Sequence, residues 1–439
     1  MDDRQNLASL RGRLLAAREA RQAVLDRAGG SPGTAVLVSA GVPGPDKWRP
    51  GVAALQGLAE RALVAALPAV RLDRGRDALG PWAVYRAPVP ADAVKPLAVG
   101  LEQSLPAGRL LDLDVFDGDG RQVDRASLGL PGRRCLVCPR PAVACIRERR
   151  HAPEAASSAA RGLLVRVLAA LLVEGARTEL ALTPKPGLVD RLDCGSHPDL
   201  TFEAMSRSID LLPQYFGDLL EHARPLDLPA CVEAGRRAER RMIAAAGANT
   251  HKGYIFLAGL VLLAAATGGA QHLQAAIASL ARRILAPAGR DDAAAASHGA
   301  LARAAHGVGG IHAEALGGLP SVFGCGLAVL AAGEPDSPET QHRLMAALMQ
   351  AVEDTTAVHR GGLPGLARLR ADGERLARLI DDRAEYLPSL ASLNDDYRRL
   401  NLTMGGVADC MALSFALHGW LDGVPGGARG GSAIPGAEL

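Results

Sequence analysis

The chain has 439 residues, with 49 basic and 47 acidic side chains and a net charge of +2. That near balance excludes a general nucleic-acid binder, and the length implies two or three domains. Seven cysteines and no N-terminal basic–apolar–small leader pattern point to reduced thiols in a cytoplasm, and the longest apolar run reads as too short to cross a bilayer.

Aromatic residues are only 3%, while Ala and Leu are abundant, which favours helices packed through small side chains. Four lysines (Lys47, Lys95, Lys185 and Lys252) stand against 45 arginines, and three of the four lie in Gly- or Pro-rich motifs. An ammonium is a compact point charge that a guanidinium does not replace, so these positions are read as needing one.

Residues 5–28 read as a helix with Leu7, Leu10, Leu14 and Leu15 on one face, followed by a short strand at Thr34–Ser39. Gly41–Lys47 is a turn-rich loop, either a phosphate loop or a rigid bend. A helix is expected near 51–66, a strand at Trp82–Arg86 and a helix near 91–104. Arg109–Val115 alternates as a strand, which places Asp112 and Asp114 on one face and Leu111, Leu113 and Val115 on the other. Paired carboxylates repel, and a bound Mg²⁺ relieves that in a way that suits nucleotidyl transfer; the plainer reading is a solvated face ending in the turn Asp117–Gly120. Cys135, Cys138, Cys145 and His151 offer four soft ligands for Zn²⁺, or remain unliganded thiols.

Ala152–Ala160 is small and polar and is read as a junction near residue 155. Beyond it the pattern is helical, beginning with the apolar run Leu163–Val173. Pro184 and Pro186 leave Lys185 on an extended loop within Leu182–Asp190, and Asp193–His197 follows. Helices near 201–222 and 228–246 lead to Asn249–Gly253, directly before the apolar run Tyr254–Ala266. Polar residues at a helix start present free N–H groups and a positive dipole end, to which Lys252 adds charge; a simple cap is the alternative. Gly307–Ala315 is a Gly-rich loop carrying His312 and Glu314, with His306 just before it. Helices near 320–332 and 338–353 precede Glu353–Thr356 and His359–Gly362. Asn401–Asp409 opens the last helix, and the Gly-rich tail from Val424 is expected to be disordered. Five polar motifs interrupting apolar helices suggest a charged cleft, with cations and glycine N–H groups for polyphosphate and carboxylates for Mg²⁺ and proton abstraction.

The motifs at 183–190, 249–253, 307–315, 354–362 and 405–409 resemble, in order and over roughly 160–420, the triphosphoribosyl-dephospho-CoA synthase family. Residues 1–152 resemble the apo-citrate lyase phosphoribosyl-dephospho-CoA transferase family through Ala17–Arg21, Pro43–Pro45 with Lys47, Gly108–Val115, Arg134–Cys138, Ala144–Arg147 and His151. The resemblance implies a fused enzyme with an α/β nucleotidyltransferase-type domain over 1–155 and an all-α domain over 156–423. It implies that ATP and 3′-dephospho-CoA give 2′-(5″-triphosphoribosyl)-3′-dephospho-CoA and adenine, and that the phosphoribosyl-dephospho-CoA unit then passes to a serine of the acyl-carrier subunit of citrate lyase with loss of pyrophosphate. On this basis Lys185, Asn249, Thr250, Lys252 and Arg360 would hold phosphates, with the N–H groups of Gly187, Gly253, Gly361, Gly362, Gly405 and Gly406. Asp354 would hold Mg²⁺, and Glu314 or His251 would be the base. In the other half Asp112 and Asp114 would bind Mg²⁺, with Arg109 or Arg134 on pyrophosphate. His312, Thr356, Met404 and Gly41 depart from the family pattern, which leaves roles at His312 and Thr356 in doubt. Rival readings are the same chemistry for a malonate decarboxylase carrier, a non-catalytic nucleotide-binding or carrier-docking protein, and a metal-dependent nucleotide riboside hydrolase.

Overall fold

The structure is a computed structural model that describes residues 3–29, 32–248, 250–268, 272–286, 305–383 and 385–423. The chain divides into two compact units, residues 1–167 with 419–439 and residues 168–418. The tail expected to be disordered, 424–439, lies outside the described residues, as does Asn249.

The first unit is built on a five-stranded antiparallel sheet in the order β2-β3-β1-β4-β5. Its strands are β1 (Thr34–Ala40), β2 (Val70–Asp77), β3 (Gly80–Ala87), β4 (Leu111–Phe116) and β5 (Gln122–Val123). The sequence reading missed β2. Its alternating charges, VRLDRGRD, leave it mostly exposed, and charge is how an edge strand avoids pairing with other chains. Helix α1 (Asp3–Ala28) packs Val24 and Leu25 on Leu37, Trp82 and Val84. The opposite face of the sheet meets α2 (Val52–Ala66), whose Glu60 accepts from the Tyr85 hydroxyl at 2.6 Å. Lys95 of α3 (Ala91–Ser104) donates to the Leu113 carbonyl at 3.0 Å. In β4 the burial alternates: Leu111, Leu113 and Val115 are buried, and Asp112 and Asp114 share the half-exposed face, opposite Ser39 and Leu37. A short helix α4 (Ala142–Arg147) follows. The return of the chain adds Trp420, whose carbonyl accepts from Gly51 N–H at 2.7 Å.

The Ala152–Ala160 segment, read as a junction, is helical from Pro153 and begins α5 (Pro153–Ala181), because Ala-rich sequence is strongly helix-forming. At 29 residues α5 is long and apolar enough to cross a membrane by length and composition. This corrects the expectation drawn from the chain's longest uninterrupted apolar run, since widely spaced charges do not end the helix. Two bent helix pairs would also qualify if each were one span. Leu164, Leu168, Leu172, Ala176 and Leu180 of α5 are buried in the protein.

The second unit is helical: α6 (Phe202–Ile209), α7 (Leu212–Glu221), α8 (Leu228–Ala246), α9 (Lys252–Gly268), α10 (Leu273–Leu285) and α11 (Gly310–Gly317). A π-turn at Val322–Gly326 runs into α12 (Leu327–Ala332), followed by α13 (Pro338–Ala351), α14 (Thr355–Asp381), α15 (Leu387–Arg399) and α16 (Gly405–Leu421). The helix expected across 201–222 is two, with Pro213 in the first turn of the second. Most of the expected loop 307–315 is α11. Helix α9 is apolar all round and correspondingly buried from Leu257 to Ala266. It is tied to neighbours by Tyr254, which donates to the Leu172 carbonyl at 2.5 Å, and by Tyr215, which donates to the Ile255 carbonyl at 3.0 Å. Gly175 lets α5 approach α16, since a Cβ there would stand 2.3 Å from the Ala412 carbonyl oxygen.

Candidate active site

All five polar motifs meet in the second unit. The Gly187 carbonyl accepts from Thr403 Oγ at 2.9 Å and from Ser196 N–H at 3.2 Å, while Gly187 N–H donates to Asn394 at 2.9 Å. Gly187 has φ +69°, and a side chain there would collide with the Leu402 carbonyl, so the sharp approach of the 183–190 loop needs glycine. Arg360 donates to the Ser196 carbonyl at 2.5 Å and to Asn401 Oδ1 at 2.8 Å. Gly405 N–H donates to Thr356 Oγ at 2.8 Å, and Val407 N–H to Asp354 at 3.0 Å. Gly309 N–H donates to Glu353 at 2.8 Å, and Gly310 leaves no space for a Cβ beside Thr355. Gly253 is in the same position against Asp409.

Two histidines in this region have defined tautomers. The Thr403 hydroxyl donates to Gly187, so its oxygen accepts from His197 Nε2–H at 2.9 Å, and Nδ1 of His197 accepts from Arg360 at 3.2 Å. Burial and the neighbouring guanidinium depress His197 to about 4. Ser208 Oγ donates to the Met205 carbonyl at 2.9 Å, so it accepts from His251 Nδ1–H at 2.6 Å. That leaves Nε2 of His251 as a lone pair. The side chain is only 7% exposed, Nε2 has no partner among the described residues, and burial with the positive charge of Lys185 depresses it to about 4. Ser196 Oγ is likewise buried without a partner among the described residues. Unsatisfied buried polar atoms are rare and mark sites where an outside group completes the bonding.

Two assignments change. Lys185 is 1% exposed, and its ammonium, expected on phosphate, is committed to Glu179 through Oε1 at 2.6 Å and the carbonyl at 2.7 Å. Asp354, expected on Mg²⁺, is fully buried and caps α14: it accepts from Thr356 N–H at 2.8 Å and Ala357 N–H at 3.1 Å, while its other oxygen takes Val407. With both oxygens engaged by backbone, it does not fit a metal. Glu179 was not singled out as a site carboxylate; Asp409, expected among the charges lining the cleft, has its pKa raised by burial and by Asp354 and Glu179.

Lys252 opens α9 half-exposed and pairs with Glu239 at 3.3 Å, beside Thr250. Gly361 and Gly362 lie inside α14, which breaks at Gly362 (φ 63°, ψ −167°). Gly406 packs on Asp354. Glu314 lines a pocket of about 550 Å³ with Gly310, Ala313, Ser321, Cys325 and Glu353. It accepts from Ser321 Oγ at 2.5 Å and Ser321 N–H at 3.2 Å, and burial raises its pKa. Of the departures, His312 lies against Phe256, Thr356 joins the Asp354 cap, and Met404 is core.

In the first unit Asp114 accepts from Gln122 at 2.7 Å and Asp112 from Arg133 at 2.7 Å. Burial and the adjacent Asp112 raise Asp114 to about 6. Two neighbouring half-exposed carboxylates, one resisting ionisation, fit a hard divalent cation. The guanidinium at this pair is Arg133, which also meets Glu102 at 2.7 Å, and not the expected Arg109 or Arg134. Arg134 is exposed, and Arg109 donates to the Cys135 carbonyl. Cys135, Cys138, Cys145 and His151 bring their ligand atoms within 4.8 Å of one another, a Cys₃His donor set that fits tetrahedral zinc.

Residues 165–424 match the family model described as ATP:dephospho-CoA triphosphoribosyl transferase. The chain belongs to that family. Residues 10–165 match the apo-citrate lyase phosphoribosyl-dephospho-CoA transferase model, so both transferases of citrate lyase prosthetic-group synthesis are fused in one polypeptide. Protein CitXG of Haemophilus influenzae is 28% identical over 381 residues, covering 76% of this chain and 78% of its own. Protein CitXG of Leuconostoc mesenteroides subsp. cremoris is 29% identical over 367 residues, 74% of this chain and 77% of its own. A probable 2-(5″-triphosphoribosyl)-3′-dephosphocoenzyme-A synthase of Azotobacter vinelandii is 35% identical over 253 residues, 54% of this chain and 86% of its own.

Proposed function

We propose that residues 156–423 perform the first and residues 1–155 the second of two consecutive transfers in a cytoplasm. In the first, the ribose 2′-oxygen of 3′-dephospho-CoA bonds to C1″ of the ATP ribose as the bond from C1″ to adenine breaks. The observation that carries this reading is the meeting of five motifs in the unit that also holds His251, whose Nε2 is buried, unprotonated and without a partner among the described residues. That nitrogen takes the hydroxyl proton. An entering triphosphate raises its basicity, because negative charge favours the imidazolium. Glu314, whose pKa burial raises, is the acid that protonates departing adenine. Lys252, Thr250, Asn249 and Arg360 bind the phosphates with the first-turn N–H groups of α9.

In the second transfer a serine oxygen of the citrate lyase acyl carrier bonds to the α-phosphorus as pyrophosphate leaves. The sheet is read as a nucleotidyltransferase-type fold, with Asp112 and Asp114 holding Mg²⁺. When bound, that ion supplies charge neutralisation at the α-phosphate. Arg133 orients Asp112 and offsets carboxylate charge, and the Cys₃His set holds zinc.

Adenine release tests the first step. It requires ATP and dephospho-CoA together, and His251→Gln lowers it by about 10²–10⁴-fold. Adenine formed without dephospho-CoA contradicts the reading and favours a riboside hydrolase. A carrier of malonate decarboxylase serves as the competing acceptor.

A further inference from the structure

Residues 124–151 have almost no core. Only Cys135 and Cys145 in this stretch are buried, while Val143 and Ile146 are 57% and 74% exposed. Its one regular helix is the six-residue α4. Ordering a backbone residue costs about 1–2 kcal/mol, and a segment that buries so little apolar surface needs a cross-link to offset it. No disulfide supplies one, since all seven cysteines are free. What the segment does have is convergence of sulfur and nitrogen: Cys138 Sγ lies 3.5 Å from Cys145 Sγ and 3.3 Å from His151 Nε2.

The same segment reaches the acidic strand. Arg133, two residues before Cys135, donates to the Leu111 carbonyl at 2.8 Å, to Glu102 at 2.7 Å and to Asp112 at 2.7 Å. Its own carbonyl accepts from Ala142 N–H at 2.8 Å, and Cys135 N–H donates to the Arg140 carbonyl at 2.8 Å. From the strand side, Arg109 donates to the Cys135 carbonyl. The turn that carries Arg133 is therefore closed by the cysteines and anchored to β4 by two arginines.

We propose that Cys135, Cys138, Cys145 and His151 form a zinc staple that holds Arg133 on Asp112 and Glu102, so that carrier transfer, and not adenine release, depends on zinc. Arg133 is a positioning residue: it fixes Asp112 through one carboxylate oxygen beside Asp114. The proposal rests on Asp112 and Asp114 being the seat of the second transfer.

The test uses the full chain. Metal analysis should find one zinc per chain, and Cys138→Ser should lose it. Amide exchange of peptides spanning 133–151 should then rise on the order of tenfold. Carrier modification from preformed intermediate should fall roughly 10–100-fold, with adenine release unchanged. Chelation and zinc re-addition on the unmodified chain should reproduce and reverse these effects, which guards against a variant that misfolds. Arg133→Gln should keep zinc and exchange protection yet lose transfer. A zinc-free chain that is fully protected and active overturns the proposal, as does normal transfer by Arg133→Gln. Normal transfer by Asp112→Asn and Asp114→Asn, with zinc and protection intact, overturns instead the reading of the acidic strand.

Discussion

Lys185 and Glu179 form a buried ion pair, 1% and 7% exposed at their side chains, with the ammonium also on the Glu179 carbonyl. Lys185→Met leaves a carboxylate buried without its cation, which costs about 3–5 kcal/mol. With a urea m-value of about 2–3 kcal/mol/M, the midpoint of the second unit falls by roughly 1–2.5 M. The double variant Lys185→Met/Glu179→Leu removes both charges and recovers most of that loss, because apolar replacement of a buried pair is near neutral. The two units separate optically: Trp48, Trp82 and Trp420 all lie in the first, so fluorescence follows it, while far-UV circular dichroism follows mainly the helical second. Removing the Lys185 charge also lets His251 keep its proton to higher pH, so the acid limb of adenine release shifts upward in the double variant. A midpoint unchanged in Lys185→Met, or an unmoved acid limb, refutes this account of the pair.

His251 is neutral when folded and gains a proton on unfolding between its ordinary 6.5 and about 4. Stability is therefore full above pH 6.5 and falls by up to about 3 kcal/mol as pH drops toward 4; His251→Gln should flatten that slope in urea titrations. Ser208→Ala should free the His251 tautomer and lower the adenine release rate with little change in KM, and nitrogen NMR of His251 should show mixed tautomers. Asp354→Ala should cost about 1–3 kcal/mol in urea titrations by orphaning the N–H groups of Thr356, Ala357 and Val407, whereas Asp354→Asn should cost less because its amide oxygen still caps Thr356 and Ala357. Asp114 binds its proton up to about pH 6, so the Mg²⁺ concentration needed for carrier transfer should rise as pH falls below 6.

Periodicity made the long elements legible. The Asp112–Asp114 face follows from strand alternation, and the buried α9 from its unbroken apolar run. What sequence could not settle was pairing at a distance. Arg133 and Arg134 are equivalent in sequence, but Arg134 bridges to Pro141 on an exposed stretch while its neighbour turns toward β4. Glu102 sits in a helix with nothing to mark it until Leu113 N–H and Arg133 meet it. Lys185 looked like a phosphate ligand because its loop is extended, yet that same loop folds back over the end of α5 and delivers the ammonium to Glu179. Asp354 carried both a cap signature and a metal-ligand chemistry, and the two backbone donors of α14 with Val407 decide for the cap.

Intact-mass analysis of an apo citrate lyase carrier tests the central claim most directly. Incubated with the full chain, ATP, Mg²⁺ and dephospho-CoA, the carrier should gain the mass of one phosphoribosyl-dephospho-CoA unit on a serine, and omitting either ATP or dephospho-CoA should abolish the gain. An unmodified carrier in the complete mixture, or a carrier modified without ATP, would contradict it.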